Sequence, residues 1–243
     1  MFISVAIPFY NNARFMEKTL EYIVTDDRIS EIIITDDKSN DNNLTQLMNI
    51  IKKYPKVKLF KNPKNIGVFP NKIKALSKCS NQWAVLLDSD NALNKEYINA
   101  IFSQAPWNDK FIYAPEWAKT FPGNHSSMLN YKWLSNQIVD KEKTAKLRSN
   151  AQFKCFVNTG NYFVNVKKFV NIMNASTLKF DDSMSCIDVF YANHIWLMTG
   201  NKIKIVKGMQ YSHRLHKAST YTVKSKHKQK YWENQFFNQV QKI

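Results

Sequence analysis

The chain has 243 residues, 44% hydrophobic and 14% aromatic, which is enough for a sizeable core and excludes disorder as its overall state. Lys and Arg number 35 against 19 acidic residues, a net charge of +16 that suits a partner or substrate carrying negative charge. Cys79, Cys155 and Cys186 are the only cysteines and lack a C-x-x-C spacing, which argues against a disulfide framework or a thiolate zinc site and reads as ordinary core residues in a reducing compartment.

Phe2 to Ile7 reads as a buried strand, and Phe15, Met16, Thr19, Leu20 and Ile23 follow at helical spacing within Asn11 to Thr25. Ile32, Ile33 and Ile34 form a β-branched run typical of a strand covered on both faces. After a polar loop from Asp36 to Asn43, a helix runs through Leu44, Leu47, Met48 and Ile51. Val57 to Phe60 is the third strand, Asn71 to Ser80 the third helix and Trp83 to Leu87 the fourth strand. This alternation predicts right-handed crossovers and a largely parallel sheet.

The second half is less regular. Phe111 to Ala114 reads as a strand, Ser127 to Leu147 as mostly helical, and Phe153 to Val166 as strands broken by a turn at Thr159-Gly160-Asn161. Ile187 to Met198 reads as a helix; Ile203 to Val206 and Met209 to Ser212 read as a hairpin around Gly208. No run approaches the ~18 apolar residues that cross a bilayer. The short apolar start, Met1 to Pro8, lacks a basic lead and reads as a core strand, so the expectation is a cytoplasmic protein.

In an open α/β sheet, ligands bind beyond the carboxyl ends of the strands. Three polar clusters fall there: Pro8 to Asn12, Asp36 to Asp41 and Asp88 to Asn91. Each alone is explained by turns and helix caps. Together they bring repelling carboxylates to one rim, which calls for a cation or ligand donors. Asp88 and Asp90, at i and i+2 after a buried strand, can face one side, and hard oxygen ligands of this kind suit Mg²⁺ or Mn²⁺.

The order of these segments resembles the family-2 glycosyltransferases, which have the GT-A fold. The resemblance is carried by Ser4-Val5-Ala6-Ile7-Pro8, Asp36-Asp37-Lys38-Ser39-Asn40-Asp41, Asn65-Ile66-Gly67-Val68 with Asn71 and Ala75, and Leu86-Leu87-Asp88-Ser89-Asp90. It implies a GT-A-like, Rossmann-type α/β domain over residues 1–223, with a mostly parallel central mixed sheet flanked by helices. Residues 1–91 would be the nucleotide-binding half and 92–223 the acceptor half.

The implied activity is metal-dependent, inverting transfer of a sugar from a nucleotide-diphosphate sugar, in particular a UDP-sugar, to a hydroxyl of a glycan or lipid-linked glycan. Pro8 and Tyr10 would border the base and ribose, and Asp37, or Asp36 beside it, would accept from the uracil ring. Asn65, Lys72, Ser89 and Arg214 complete the implied donor set. Asp90 would be the direct ligand of Mn²⁺ or Mg²⁺, with Asp88 on the ribose or metal. Two departures stand out: Lys38 replaces the family's usual Gly, and Pro70 replaces an Arg, leaving Lys72 or Lys74 to meet the diphosphate.

An inverting transfer needs a carboxylate to take the acceptor's proton. By resemblance it is Asp188, opening a helix with Ile187 where the family has Glu; Asp181 and Asp182 are the alternatives. A helix's first turn stabilises the anion, and Asp188 there also reads as a plain dipole partner. His213 reads as a metal ligand or as part of a basic loop with Arg214, His216 and Lys217; His194 reads as core, and His125 and His227 have no evident role. Trp107, Trp117 and Trp133 suit sugar stacking or the core.

Residues 224–243 pair Lys224, Lys226, Lys228 and Lys230 with Trp232, Phe236, Val240 and Ile243 at helical spacing. This basic amphipathic helix either packs on its own domain or meets the inner face of an anionic membrane. Two other readings compete. A sugar nucleotidyltransferase needs a Gly-rich loop after strand one, where Phe9-Tyr10-Asn11-Asn12 stands instead. A catalytically inactive lipid- or nucleic-acid-binding relative would use the charge, but no nucleic-acid module is legible and none is expected as partner.

Overall fold

A computed structural model describes residues 1–121, 130–147, 161–177 and 188–216. The 224–243 helix lies outside these residues. So do Gly160, Asp181, Asp182, His125, His227, Lys217, Cys155 and Cys186, and parts of the 127–147 and 153–166 predictions.

The first half follows its periodicities. The strands β1 (Ile3–Phe9), β2 (Ile29–Asp36), β3 (Val57–Lys61) and β4 (Trp83–Leu86) alternate with the helices α1 (Ala13–Leu20), α2 (Asp41–Ile51) and α3 (Val68–Ser77). The α2 helix starts within the predicted loop because Asn40 caps it, accepting from the Asn43 amide at 2.9 Å. The α3 helix starts three residues early, directly after Gly67, whose φ of 92° few side chains tolerate.

A short strand, β5 (Ala92–Leu93), and a helix, α4 (Lys95–Phe102), follow; neither is legible as a long periodic run. Asn94 caps α4 through the Tyr97 amide. The strand β6 (Phe111–Phe121) is much longer than expected.

Two predictions in the second half are corrected, the 127–147 helix and the hairpin at Gly208. Among the described residues of 127–147, only α5 (Lys141–Leu147) is α-helical; a 3-10 turn at Lys132–Leu134 and the strand β7 (Ile138–Val139) precede it. Between Asn161 and Val166 one strand forms, β8 (Phe163–Asn165), and Asn165 then caps an unforeseen helix, α6 (Val166–Ala175). Beyond α7 (Asp188–Met198), the expected hairpin is one continuous strand, β9 (Lys202–Arg214). Gly208, at φ 79°, makes a bulge in it and not a reversal, because β9 runs parallel to β6 on both sides, from Phe111↔Lys202 to Phe121↔Arg214. Glu116 holds the bulge by accepting from the Gly208 amide at 2.8 Å.

The sheet order is β3-β2-β1-β4-β8-β6-β9-β5, with β7 paired to β9. Its long ladders are parallel, and β8 is antiparallel to both neighbours. Alternation along β1 sends Val5 and Ile7 to a core with Met16, Leu47 and Tyr97, and Ala6 to a core with Leu76, Phe169 and Trp196. Helices thus cover both faces, and the polar residues are left at the strand ends.

Candidate active site

The carboxyl ends of β1, β2 and β4 meet at one rim. Asp36 and Asp37 leave β2 fully buried. Asp36 accepts from the Ser39 amide at 3.1 Å. Asp37 gathers the following loop: its Oδ1 accepts from Asn62 Nδ2 at 2.8 Å and the Ile66 amide at 2.9 Å, and its Oδ2 from the Gly67 amide at 2.9 Å. Oδ2 thus retains a lone pair for one more donor. Lys38 adopts φ 64°, so the left-handed turn suited to glycine persists with a lysine in it. Asn65 is exposed in this loop and accepts from the Gly67 amide at 3.0 Å. Pro8 is half-buried on β1 opposite Thr35, and Tyr10 stands 49% exposed at the end of β1.

The second cluster follows β4. Asn161, itself at φ 60°, accepts from the Asp88 amide at 2.8 Å and so orients the start of the turn. Ser89 is buried; its hydroxyl accepts from Asn12 at 3.2 Å and its carbonyl from Thr19 at 2.9 Å. Lys72, on α3, reaches this cluster from behind. Its ammonium lies 2.8 Å from Asp88 and 2.6 Å from Asp188, with only 9% of its side chain exposed. Asp88 and the first turn of α7, one hundred positions apart in the chain, therefore share one buried cation.

Electrostatics sharpens this arrangement. Burial pushes the Asp88 carboxyl above its ordinary range; Lys72 opposes that, and Asp90 and Asp188 add to it. Burial works to lower Lys72, but Asp188 and Asp88 outweigh it and hold the ammonium charged well above its ordinary value.

Asp90 meets a histidine, and it is His216: Nε2 sits 2.9 Å from Asp90 Oδ2. His213, the residue singled out in the sequence, is half-buried on β9. Burial lowers its pKa below 6.5, against the pull of Asp90 and Asp88 and with a further lowering from His216. Its Nδ1 is buried with no hydrogen-bond partner among the described residues. Arg214 donates to the Asp90 carbonyl at 3.2 Å and is sandwiched between Phe15 and Phe121, 4.6 and 4.2 Å from the ring centres.

Two carboxylates at i and i+2 are the right chemistry for one side of a Mg²⁺ or Mn²⁺ shell. Among the described residues no three His, Cys, Asp or Glu side chains form a cage of their own. The residues fit an ion whose remaining ligands are phosphate oxygens and water, the usual habit of Mg²⁺.

The structure thus unites Asp88, Ser89, Asp90, Lys72, Asp188 and Arg214, with Asp36, Asp37 and Asn65 along the same rim. The sequence singles out His213; the imidazole that pairs with Asp90 is His216, two residues past the end of β9. In the sequence Asn161 belongs to the Thr159-Gly160-Asn161 segment, and nothing there marks its side chain as the acceptor of the Asp88 amide. Trp107 is core: it packs on Trp83 and Phe163 and donates to the Ile101 carbonyl at 2.8 Å. Trp117 carries Lys132 over its ring, and Trp133 is half-buried against the core. His194 is half-buried on α7, with its pKa lowered to about 4 by burial.

A profile of glycosyl transferase family 2 matches residues 4–169. Poly(ribitol-phosphate) beta-N-acetylglucosaminyltransferase TarP of Staphylococcus aureus is 32% identical over 114 residues, 44% of this chain and 34% of its own length. The GalNAc(5)-diNAcBac-PP-undecaprenol beta-1,3-glucosyltransferase of Campylobacter jejuni is 29% identical over 105 residues, 42% of this chain and 34% of its own. The chain therefore spans about a third of these relatives' lengths. S. aureus TarS 1-349 in complex with UDP-GlcNAc superposes with a TM-score of 0.65 at 18% identity, covering 92% of this chain and 61% of that one. GalNAc-T7 with UDP, GalNAc and Mn²⁺ superposes at 0.61 and 15%, covering 89% and 44%. At those identities the likeness establishes the fold. With the family profile covering β1 through most of the donor rim, the chain belongs to glycosyl transferase family 2.

Proposed function

We propose that this chain is an inverting, metal-dependent glycosyltransferase that moves a sugar from a UDP-sugar to a hydroxyl of a glycan or lipid-linked glycan. The observation that carries this reading is the Asp88–Lys72–Asp188 triad, which sets a donor-side carboxylate and a base candidate around one ammonium. The shared fold with TarS, whose structure holds UDP-GlcNAc, supports the choice of donor.

In this reading Pro8 and Tyr10 border the base, and the remaining lone pair of Asp37 accepts the uracil N–H. Asn65 presents the loop, and Asp36 and Ser89 hold their turns through buried hydrogen bonds. Asp90 and Asp88 would hold Mn²⁺ or Mg²⁺ together with phosphate oxygens and water. When bound, such an ion supplies positive charge against a departing diphosphate. Arg214 fixes Asp90 through its carbonyl and adds charge of the same sign. Lys72 orients Asp188, and Asp188 takes the proton from the acceptor hydroxyl as the bond to the sugar forms. The basic stretch 224–243 would bring the enzyme to an anionic membrane. No helix among the described residues is long and apolar enough to cross one.

The test is the rate of sugar transfer and donor hydrolysis over a panel of UDP-sugars with Mn²⁺, in wild type, Asp90→Ala and Asp188→Asn. Both variants are expected to lose about 10²–10⁴-fold in transfer. Equal rates in all three proteins would remove these roles.

A further inference from the structure

A few buried polar atoms have no hydrogen-bond partner among the described residues, and two of them belong to residues that line one cavity. They are Nδ2 of Asn161, a residue 2% exposed, and Oδ2 of Asp188, a residue 8% exposed. A buried donor or acceptor left unbonded is costly, so each calls for a partner. The cavity has a volume of about 10 Å³, room for one water molecule. Lys72, Tyr162, Leu86 and Ala192 are among its other walls.

The orientation of the Asn161 amide is fixed. Its Oδ1 accepts from the Asp88 backbone N–H at 2.8 Å, and a backbone N–H can only donate, so the amide cannot be turned over. Its carbonyl accepts from the buried Tyr97 hydroxyl, and its φ of 60° is one that Asn tolerates better than most residues. The Tyr211 hydroxyl is near enough for the Asn161 amide to oppose the rise of its pKa, yet the two are not in hydrogen-bonding geometry. On the other side, Lys72 neutralises Asp188 Oδ2 at 2.6 Å without an aligned hydrogen bond, and a carboxylate oxygen takes more than one donor. The Tyr162 hydroxyl spends its proton on the Val189 carbonyl, 3.3 Å away in the first turn of α7, and so keeps its lone pairs.

We propose that one ordered water fills this cavity, accepting from Asn161 Nδ2 and donating to Asp188 Oδ2, and that Asn161 is thereby a positioning residue for the transfer. Empty cavities in proteins are apolar, whereas buried waters sit among two to four polar partners. Asn161, Asp188, Lys72 and Tyr162 supply that number here. One side chain then ties the two halves of the site together. Oδ1 holds the backbone of the Asp88 turn, and Nδ2, through the water, holds the Asp188 carboxylate. Lys72 supplies the charge that keeps Asp188 ionised, but an ammonium is a point charge on a flexible stem. The water adds the directed hydrogen bond that turns the carboxylate to a single orientation.

The positioning role rests on the transferase reading; the water does not, and the test reads the two separately. The first readout is a high-resolution crystal structure of the wild-type chain without substrate. A water within hydrogen-bonding distance of both Asn161 Nδ2 and Asp188 Oδ2 is expected. An empty cavity, or direct contact between the two side chains, overturns the proposal even in a protein that transfers sugar. The second readout is kcat and donor KM for transfer, with calorimetric UDP binding, in wild type, Asn161→Asp and Ala192→Val. Asn161→Asp keeps an acceptor for the Asp88 amide and loses the donor to the water. Ala192→Val fills the cavity with methyl groups and adds no charge. Both are expected to lower kcat about tenfold while UDP affinity stays within about twofold. An Asn161 that serves only the Asp88 turn gives wild-type kcat in both variants, and that result overturns the positioning role. So does a loss of UDP affinity as large as the loss of kcat. A wild type that holds the water but transfers no sugar removes the transferase reading, and with it the positioning role, while the water site stands.

Discussion

Two acidic groups, one buried and one half-buried, stand at opposite ends of the central strands and meet their charge in different ways. Glu31, near the start of β2, is fully provided for. It accepts from the Ser4 hydroxyl at 2.6 Å and from the Ser80 and Asn81 amides, and pairs with Lys58 at 3.2 Å. Burial would raise its pKa, but these donors outweigh it and hold the carboxyl at about 2, against an ordinary 4.5. Asp88, at the far end of β4, shares Lys72 with Asp188, and burial, with Asp90 and Asp188 adding to it, pushes its carboxyl up. One end anchors the strands; the other keeps an excess of negative charge that a cation or donor groups of a ligand would relieve.

The contrast can be broken in order of expected effect. Asp188→Asn should cost about 10²–10⁴-fold in sugar transfer while thermal stability changes little, as read by initial rates and a melting curve. Lys72→Met leaves two carboxylates facing each other without the ammonium. It should cost about 3–5 kcal/mol in a denaturant titration, and added Mn²⁺ should recover more of the loss than it adds to wild type. Indifference of that variant to divalent ions would contradict the charge account.

Glu31→Ala strands the donors of Ser4, Ser80 and Asn81 and should cost about 2–3 kcal/mol. Its partner experiment is pH. A carboxyl depressed in the folded state stabilises fully above its unfolded value and loses that contribution as pH falls through the folded one. Wild type should therefore lose on the order of 3 kcal/mol between about pH 4.5 and 2, and Glu31→Gln should flatten that slope. Gly208→Ala meets no atom within 4 Å and pays only for its φ of 79°, about 1 kcal/mol, seen as a small drop in melting temperature.

Much of this was legible in the sequence, for stated reasons. Ile32 to Ile34 and Trp83 to Leu87 are short apolar runs with acidic ends, and such runs announce both a buried strand and its functional end. The second half hid its plan because its elements are defined by partners far away. β9 is one strand because β6 lies along it, and Gly208 alone cannot tell a bulge from a turn. The 3-10 turn and short strand before α5 replace a predicted helix because Trp117, Glu116 and β9 hold that segment, through the Trp117↔Asn130 bridge and the Ser135 hydrogen bond. In the site, the aspartates were readable from motif order. The Lys72 bridge was not: the sequence offers Lys72 to the diphosphate, and its pairing with Asp88 and Asp188 emerges only where α3 and α7 close on it.

The most direct test of the central claim is calorimetric titration of UDP with and without Mn²⁺ into wild type and Asp90→Asn. The account predicts tight binding by wild type that strengthens about tenfold or more with Mn²⁺, and an Asp90→Asn protein in which the metal makes no difference. Metal-independent binding of equal strength in both proteins would contradict it.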